Sequence, residues 1–371
     1  MYEDYTKPIA FCVSKQFFVL LLLLGMHSVC LSEPRATWTL TEWVPAFDYS
    51  GQSKPIEYLP ASPAKASWTL CVSYPHLKDA YWLSVNYGMV EEASRLGVGL
   101  KLVEAGGYPN LQRQIDQVNQ CVNEGADALI LGTVSFHGMT PTVLSVAKSM
   151  PVLATVNDIS DHGISAKAGV SWYEMSAVVG RWLAKRHPSG SKPVNVAWFP
   201  GPSGAGWVGF HDRGFRESIS NSAINILETY WGDTGKEIQR TLVQQALDNH
   251  SKIDYIVGNA LMAEAAISVL RKRELSNQVS IISTYFTHGV SRGIKRGKIL
   301  LAPTDAPVVQ GRLSINQAVR ILEGRPFTRH AGPEIRLLNS DNISDQLLGE
   351  SLAPPTFLPM FKIDAKFGYE N

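Results

Sequence analysis

From Trp68 onward the chain alternates short apolar runs with helical stretches, and the alternation starts afresh at Val194. Thr69-Leu70-Cys71-Val72-Ser73-Tyr74 reads as a strand, 80–96 as a helix, 100–103 as a strand and 111–125 as a helix. Residues 128–131 and 151–156 continue the series, separated by a helical stretch at 140–148. The second series has strands at 194–199, 225–227, 255–258 and 279–283, with helices at 206–220, 236–249 and 260–273. Strands spaced by helices in this way mean βαβ units and a parallel sheet. Two such series predict an α/β protein of two doubly wound lobes. Ligands of these sheets sit beyond the carboxyl ends of the strands, so two lobes can share one cleft.

Composition narrows the function classes. The chain has 371 residues, 45% hydrophobic, 18% charged, with a formal net charge of +1. That is enough apolar content for a core, and too little positive charge for wholesale phosphate neutralisation. Nucleic acid is therefore not an expected partner. The run Arg271-Lys272-Arg273 closes a helix, where cations complement the macrodipole.

The first residues read as a leader rather than as fold. Lys7 and Lys15 precede the apolar run from Phe17 to Leu24, and Cys30-Leu31-Ser32 offers small residues before Glu33. This is the pattern of a secretory signal over 1–32, and the run is too short to span a bilayer comfortably. The mature chain is thus expected to be exported and not membrane-spanning. Cys71 and Cys121 remain after cleavage; a disulfide and two buried thiols are both open.

Several motifs carry little chemistry. Pro200-Gly201-Pro202-Ser203-Gly204-Ala205-Gly206 follows a strand, yet matches neither nucleotide-binding glycine pattern and lacks the last glycine of a nucleophile elbow. Ser203, Asp305 and His330 stand in hydrolase order, which is cheap in a long chain. The loop reads instead as backbone that approaches a cleft. No metal-binding spacing surrounds the histidines, and Asp158, Asp161 and His162 read as a polar turn. Neither metal nor cofactor is expected.

The informative residues are aromatic. Tyr74-Pro75-His76-Leu77-Lys78-Asp79-Ala80-Tyr81-Trp82 leaves the first strand, with Asp79 placed as a helix N-cap. Tyr108, Trp172, Trp207 and Tyr285 also follow strands or open helices. Core packing does not require so many large rings at strand ends. Aromatic faces attract cations, above all methylated ammonium groups, and Asp79 supplies a countercharge. Tyrosine and indole protons can hold a polar acceptor on the same ligand. The implied ligand is small and resembles a quaternary amine. A sugar stays open, because rings also stack on pyranoses and Arg213, Asn259, Asp305 and Gln310 offer polar groups.

Ser73-Tyr74, Asp79, the 112–122 helix and Asn123-Glu124-Gly125-Ala126-Asp127-Ala128-Leu129-Ile130-Leu131 resemble the ribose-type periplasmic binding proteins. Phe210-His211-Asp212-Arg213-Gly214-Phe215, Val257-Gly258-Asn259-Ala260 and Asp305-Ala306-Pro307-Val308-Val309-Gln310-Gly311 extend the resemblance. It implies two lobes, three hinge crossings and closure on a small ligand. Asp79-Ala80-Tyr81-Trp82, Gly107-Tyr108-Pro109 and Val170-Ser171-Trp172-Tyr173 resemble, more narrowly, the periplasmic proteins that bind trimethylamine N-oxide and report it to the sensor domain of a membrane histidine kinase.

The resemblance implies a periplasmic, non-enzymatic sensor. Its expected ligand residues are Asp79, Tyr81, Trp82, Tyr108, Trp172 and Tyr285, and Tyr74, Trp207, Arg213, Asn259, Asp305 and Gln310 touch either ligand or hinge. The alternatives are a sugar-binding transport component or another small-molecule sensor. The implied organisation is a signal at 1–32, an extended arm at 33–66, a first lobe of 67–170 plus 307–328, a second of 171–306 plus 329–362, and a tail at 363–371. The strand order of that family also lets Cys71 meet Cys121, if the Cys71 side chain points to the helix side.

Overall fold

The computed structural model describes residues 37–366; the stretch read as a leader, with Cys12 and Cys30, lies outside them. The first stretch contains β1 (Trp38–Val44), β2 (Gln52–Tyr58), β3 (Thr69–Tyr74), α1 (Ala80–Leu96), β4 (Gly99–Glu104), α2 (Leu111–Asn123), β5 (Ala128–Leu131), α3 (Thr140–Val146), β6 (Val152–Thr155) and β7 (Ala166–Ala168). There follow α4 (Trp172–Arg186), β8 (Val194–Gly201), α5 (Val208–Ile219), β9 (Ile224–Trp231), α6 (Lys236–Asn249), β10 (Tyr255–Gly258), α7 (Ala260–Lys272), β11 (Ser280–Ser283), α8 (His288–Lys295) and β12 (Ala302–Thr304). The chain ends with α9 (Pro307–Leu322), β13 (His330–Gly332), β14 (Arg336–Leu338), α10 (Asp345–Ser351) and β15 (Lys362–Ile363).

Two sheets, parallel through their central strands, organise these elements. The first lobe is a nine-stranded sheet in the order β15-β4-β3-β5-β6-β7-β13-β1-β2, and the second a four-stranded sheet in the order β11-β10-β8-β9. Leu70, Cys71 and Val72 of β3 are almost fully buried, as a parallel strand covered on both faces must be. Helix α1 starts on the Asp79 cap and stops at Gly97, whose φ of 77° is the left-handed conformation that glycine adopts freely. Its stripe of Val85, Met89, Ala93 and Leu96 is buried in the core. Each of the larger of these side chains contributes about 1.5–3 kcal/mol by leaving water. The chain passes between lobes after β7, after β12, where α9 returns to pack on α1, after β13, and again after β14, where α10 packs on α9 and β15 joins β4.

Two segments differ from the sequence reading. The stretch at 33–66, read as an extended arm, contains the β1–β2 hairpin, with Trp38 opposite Tyr58 and Leu40 opposite Ile56. Strand β1 pairs antiparallel with β13, so the hairpin covers the edge of the first sheet. Lys54 and Pro55 made β2 look unlike a strand, but both suit an edge. The second segment is 329–362, read as second lobe. Strand β13 pairs with β7 and β15 with β4, both in the first sheet, and only β14 pairs with β12. Strands of two or three residues carry no hydrophobic period, so the hinge geometry decides their partners.

Cys71 on β3 and Cys121 on α2 form a disulfide, with an S–S distance of 2.07 Å and Cα atoms 6.0 Å apart. Both sit in a core cluster with Val118, Leu129 and Val143. No described helix is long and apolar enough to cross a membrane.

Candidate functional site

The carboxyl ends of both sheets deliver aromatic side chains to one buried cavity. It is lined by Asp79, Tyr81, Trp82, Tyr108, Asn157, Trp172, Trp207, Thr234 and Tyr285. All six residues expected at the ligand are there, as is Trp207. The atom-free volume is about 240 Å³, mouth included, and narrows to room for about one water. Ring centroids lie 4.6 Å apart for Trp172 and Trp207, 5.5 Å for Tyr81 and Tyr285, and 6.2 Å for Tyr108 and Trp207.

Local structure explains how each side chain is held. Asp79 Oδ1 accepts from the backbone N–H groups of Tyr81 and Trp82, each at 3.1 Å. This cap aims the first turn of α1 into the cleft, so that both neighbouring rings reach the cavity. Tyr81 Oη donates to Asp305 Oδ2 at 2.6 Å, and Gln310 Nε2 donates to the same oxygen at 2.7 Å. Trp172 Nε1 donates to the Val156 carbonyl at 3.0 Å. Asn157 Nδ2 donates to Tyr108 Oη at 3.2 Å and to the Thr133 carbonyl at 2.7 Å. Tyr74 lies behind Trp82, with ring centroids 4.7 Å apart, and supports it without reaching the cavity.

Burial controls the charge states. Desolvation raises the Asp79 pKa, against the pull of His76 and of the helix N–H groups. Desolvation likewise raises Asp305, while Tyr81 and Gln310 favour its anion. The hydroxyls of Tyr81, Tyr108 and Tyr285 are all pushed up, chiefly by burial, and stay neutral donors at physiological pH. Burial drives His211, packed among Trp172, Trp198 and Trp207, down to about 3, so its imidazole stays neutral at physiological pH. Tyr285 Oη and Trp207 Nε1 are buried without a hydrogen-bond partner of good geometry. Two unspent donors therefore border the rings.

Four other expected residues lie outside the cavity. Asn259 caps α7 by accepting from Met262 N at 2.9 Å, and its amide donates to the Phe199 carbonyl. Asp305 and Gln310 sit behind Tyr81. Arg213 is mostly exposed, stacked near Tyr173 and Phe210 along a separate, larger groove whose atom-free volume is about 2340 Å³, open side included. Ser203, Asp305 and His330 share no hydrogen bond; His330 Nδ1 accepts from Phe47 N at 3.0 Å. Among the described residues no group of three His, Cys, Asp or Glu is placed to hold a metal. The sequence reading missed Asn157 and Thr234, although both follow strands and could have been found by that rule alone.

The lobes also meet at the rim. His76 Nε2 lies 3.0 Å from Thr234 Oγ1, and Lys78 Nζ lies 4.0 Å from Asp233 Oδ2. The cleft is closed over the cavity.

A two-lobed α/β molecule with a small cleft ligand site agrees with the family evidence. A family model described as the periplasmic binding protein domain matches residues 70–326. The chain belongs to the periplasmic binding protein family. It is 40% identical to the periplasmic protein TorT of Escherichia coli (strain K12) over 300 residues, 80% of this chain and 85% of that protein. It is 21% identical to the ribose import binding protein RbsB of Bacillus subtilis (strain 168), over 74% of this chain and 88% of that protein. Among solved structures, a chain of the TorS sensor domain–TorT complex in the presence of TMAO superposes with a TM-score of 0.74 at 44% identity, covering 80% of this chain and all (100%) of that one. An ABC transporter solute binding protein from Bradyrhizobium sp. BTAi1 with bound Bis-Tris gives 0.75 at 46% identity, covering 87% and 98%.

Proposed function

We propose that the protein is a periplasmic sensor that binds trimethylamine N-oxide among these rings and reports it to the sensor domain of a membrane histidine kinase. The ligand has three methyls on a cationic nitrogen and one oxide. Methyls offer no hydrogen bond, so the nitrogen is best met by ring faces and by the Asp79 carboxylate. The oxide needs donors, and Tyr285 Oη and Trp207 Nε1 are buried and unspent. That pairing of aromatic walls with two free donors carries the reading. TorT has been solved with the TorS sensor domain both with TMAO and without ligand, which supports a partner that meets both states.

The sugar alternative is less well supported. Only Asp79, Asn157 and Thr234 line the cavity as non-aromatic polar groups, and Asn157 already serves Tyr108 and Thr133. The Bradyrhizobium relative favours a transport component for an amine as the second reading. Members of this family bind rather than transform their ligands, and we extend that to this chain.

Signalling requires that the ligand favour one lobe arrangement, and that ligand and kinase affinities be reciprocally coupled. Calorimetry with trimethylamine N-oxide, with and without the sensor domain, should therefore give two different affinities. Equal values would remove the signalling role, and no heat in either would remove the ligand. Trp82→Ala should cost on the order of 1–2 kcal/mol of ligand binding.

Asp79→Asn separates stability from binding. Asparagine caps a helix as well as aspartate does. Because burial raises the folded-state pKa, the wild-type carboxylate lowers stability as pH rises from its unfolded value through its folded one. The empty variant should thus be the more stable at neutral pH, with the difference fading in acid, where both forms are uncharged. Its affinity for the ligand should fall. Denaturant titrations across pH, paired with calorimetry, check both signs.

A further inference from the structure

Two of the cleft indoles, Trp82 and Trp207, rest their benzo edges on glycines. A Cβ added at Gly132 would lie 2.5 Å from Trp82 Cη2 and 2.9 Å from Cζ3. A Cβ added at Gly201 would lie 2.8 Å from Trp207 Cη2 and 3.1 Å from Cζ2. These are the benzo edges of the two rings. Trp207 also packs against the Tyr108 ring, with centroids 6.2 Å apart. Each indole is therefore seated on a glycine at its benzo edge.

We infer that Gly132 and Gly201 are specificity-determining residues that fix from behind how far Trp82 and Trp207 project into the cavity. The inference rests on this cavity being the ligand site. Gly132 has no room to retreat. Its N–H donates to the Ser73 carbonyl at 2.9 Å, and its own carbonyl accepts from Gln114 Nε2 at 2.9 Å. Gln114 is fully buried; it also donates to Ser73 Oγ at 3.1 Å and accepts from Val134 N at 2.9 Å. A side chain at 132 must therefore displace the indole, and Tyr74 blocks part of its other side. The direction left is the cavity, which has little space to lose. Gly201 has φ of 128°, so substitutions there also strain the backbone. Gly132, whose φ lies outside that region, gives the cleaner test.

The test is a double-mutant cycle on the full mature chain, with trimethylamine N-oxide as the probe. Gly132→Ala should weaken binding by about tenfold or more in the Trp82 background. In the Trp82→Phe background, where the smaller ring leaves the benzo edge empty, the same substitution should change affinity by less than about twofold. An equal loss in both backgrounds overturns the inference. A crystal structure of Gly132→Ala without ligand gives a readout independent of the ligand's identity. Trp82 displaced into the cavity supports the glycine seat; an unmoved ring with a shifted backbone at 132 rejects it. Failure of the wild type to bind the probe would count against the ligand assignment, and the crystal readout would still decide the seat.

Discussion

Gly206→Ala should hold the two lobes apart and weaken trimethylamine N-oxide binding by roughly tenfold to a hundredfold. Gly206 lies between β8 and α5 in the second lobe. A Cβ there would stand 2.2 Å from the Asp158 carbonyl oxygen and 3.2 Å from Phe136 N, both in the first lobe. Real Cβ atoms do not approach an oxygen to 2.2 Å, the 3.2 Å contact is itself tight, and both obstacles are backbone, so neither can turn aside. Interfaces packed this densely respond by separating. The Phe136–Phe210 contact, with centroids 5.4 Å apart, would open with it.

Each lobe keeps a core cluster of its own, around Cys71, Val118 and Leu129 in the first and around Trp198, Phe215 and Val257 in the second, so thermal unfolding of the empty variant should stay near that of the parent. Small-angle scattering at saturating ligand should show a larger radius of gyration. The kinase should read the variant as ligand-free at ligand concentrations that switch the parent. Wild-type affinity in Gly206→Ala would show that the closed arrangement is not the one that holds the ligand.

Removal of the Cys71–Cys121 bond should have the other large effect, on stability rather than on affinity. The two cysteines are 50 residues apart in sequence. Opening a loop of that length returns about 4 kcal/mol of chain entropy to the unfolded state on the loop-closure estimate. Replacing both by alanine should therefore lower unfolding free energy by about 3–4 kcal/mol in denaturant titrations. Calorimetry at low temperature should find ligand affinity nearly unchanged, since neither residue lines the cavity. A double variant as stable as the parent would mean that the bond constrains nothing. Thiol titration of the unfolded, unreduced protein should count no free sulfhydryl from this pair.

Much of the site was legible because parallel strands all send their carboxyl ends to one edge. Tyr108 and Tyr285 were found by that rule, and Tyr81 and Trp82 by the N-cap that precedes them. Trp207 stood between ligand and hinge, because it follows a glycine-rich loop rather than a strand end. The rest depended on partners far away in sequence. Asn259 and Gln310 carry amides suited to a sugar, but those amides are satisfied by their own surroundings. Arg213 lies on an α5 face that turns to the outer groove, and helical spacing alone did not say which face would meet the cleft. Gly132 is silent in the sequence, because its role is to leave space for a ring from α1. The β1–β2 hairpin was missed for the same reason, since its sheet partner is β13 at the far end of the chain.

That hairpin also braces the hinge. Trp43 stacks on His330 at 4.7 Å, Tyr49 meets the same imidazole at 4.7 Å, and Lys167 lies over the Tyr49 ring at 4.6 Å. His330 and Lys167 belong to neighbouring strands next to two of the crossings, whereas the family match begins only at residue 70. The stiffness of the joint is therefore influenced by a part of the chain that does not line the aromatic cavity. Substitutions in the brace can reset the resting poise of the receptor, and with it the concentration at which it responds, while its chemical selectivity stays as it was.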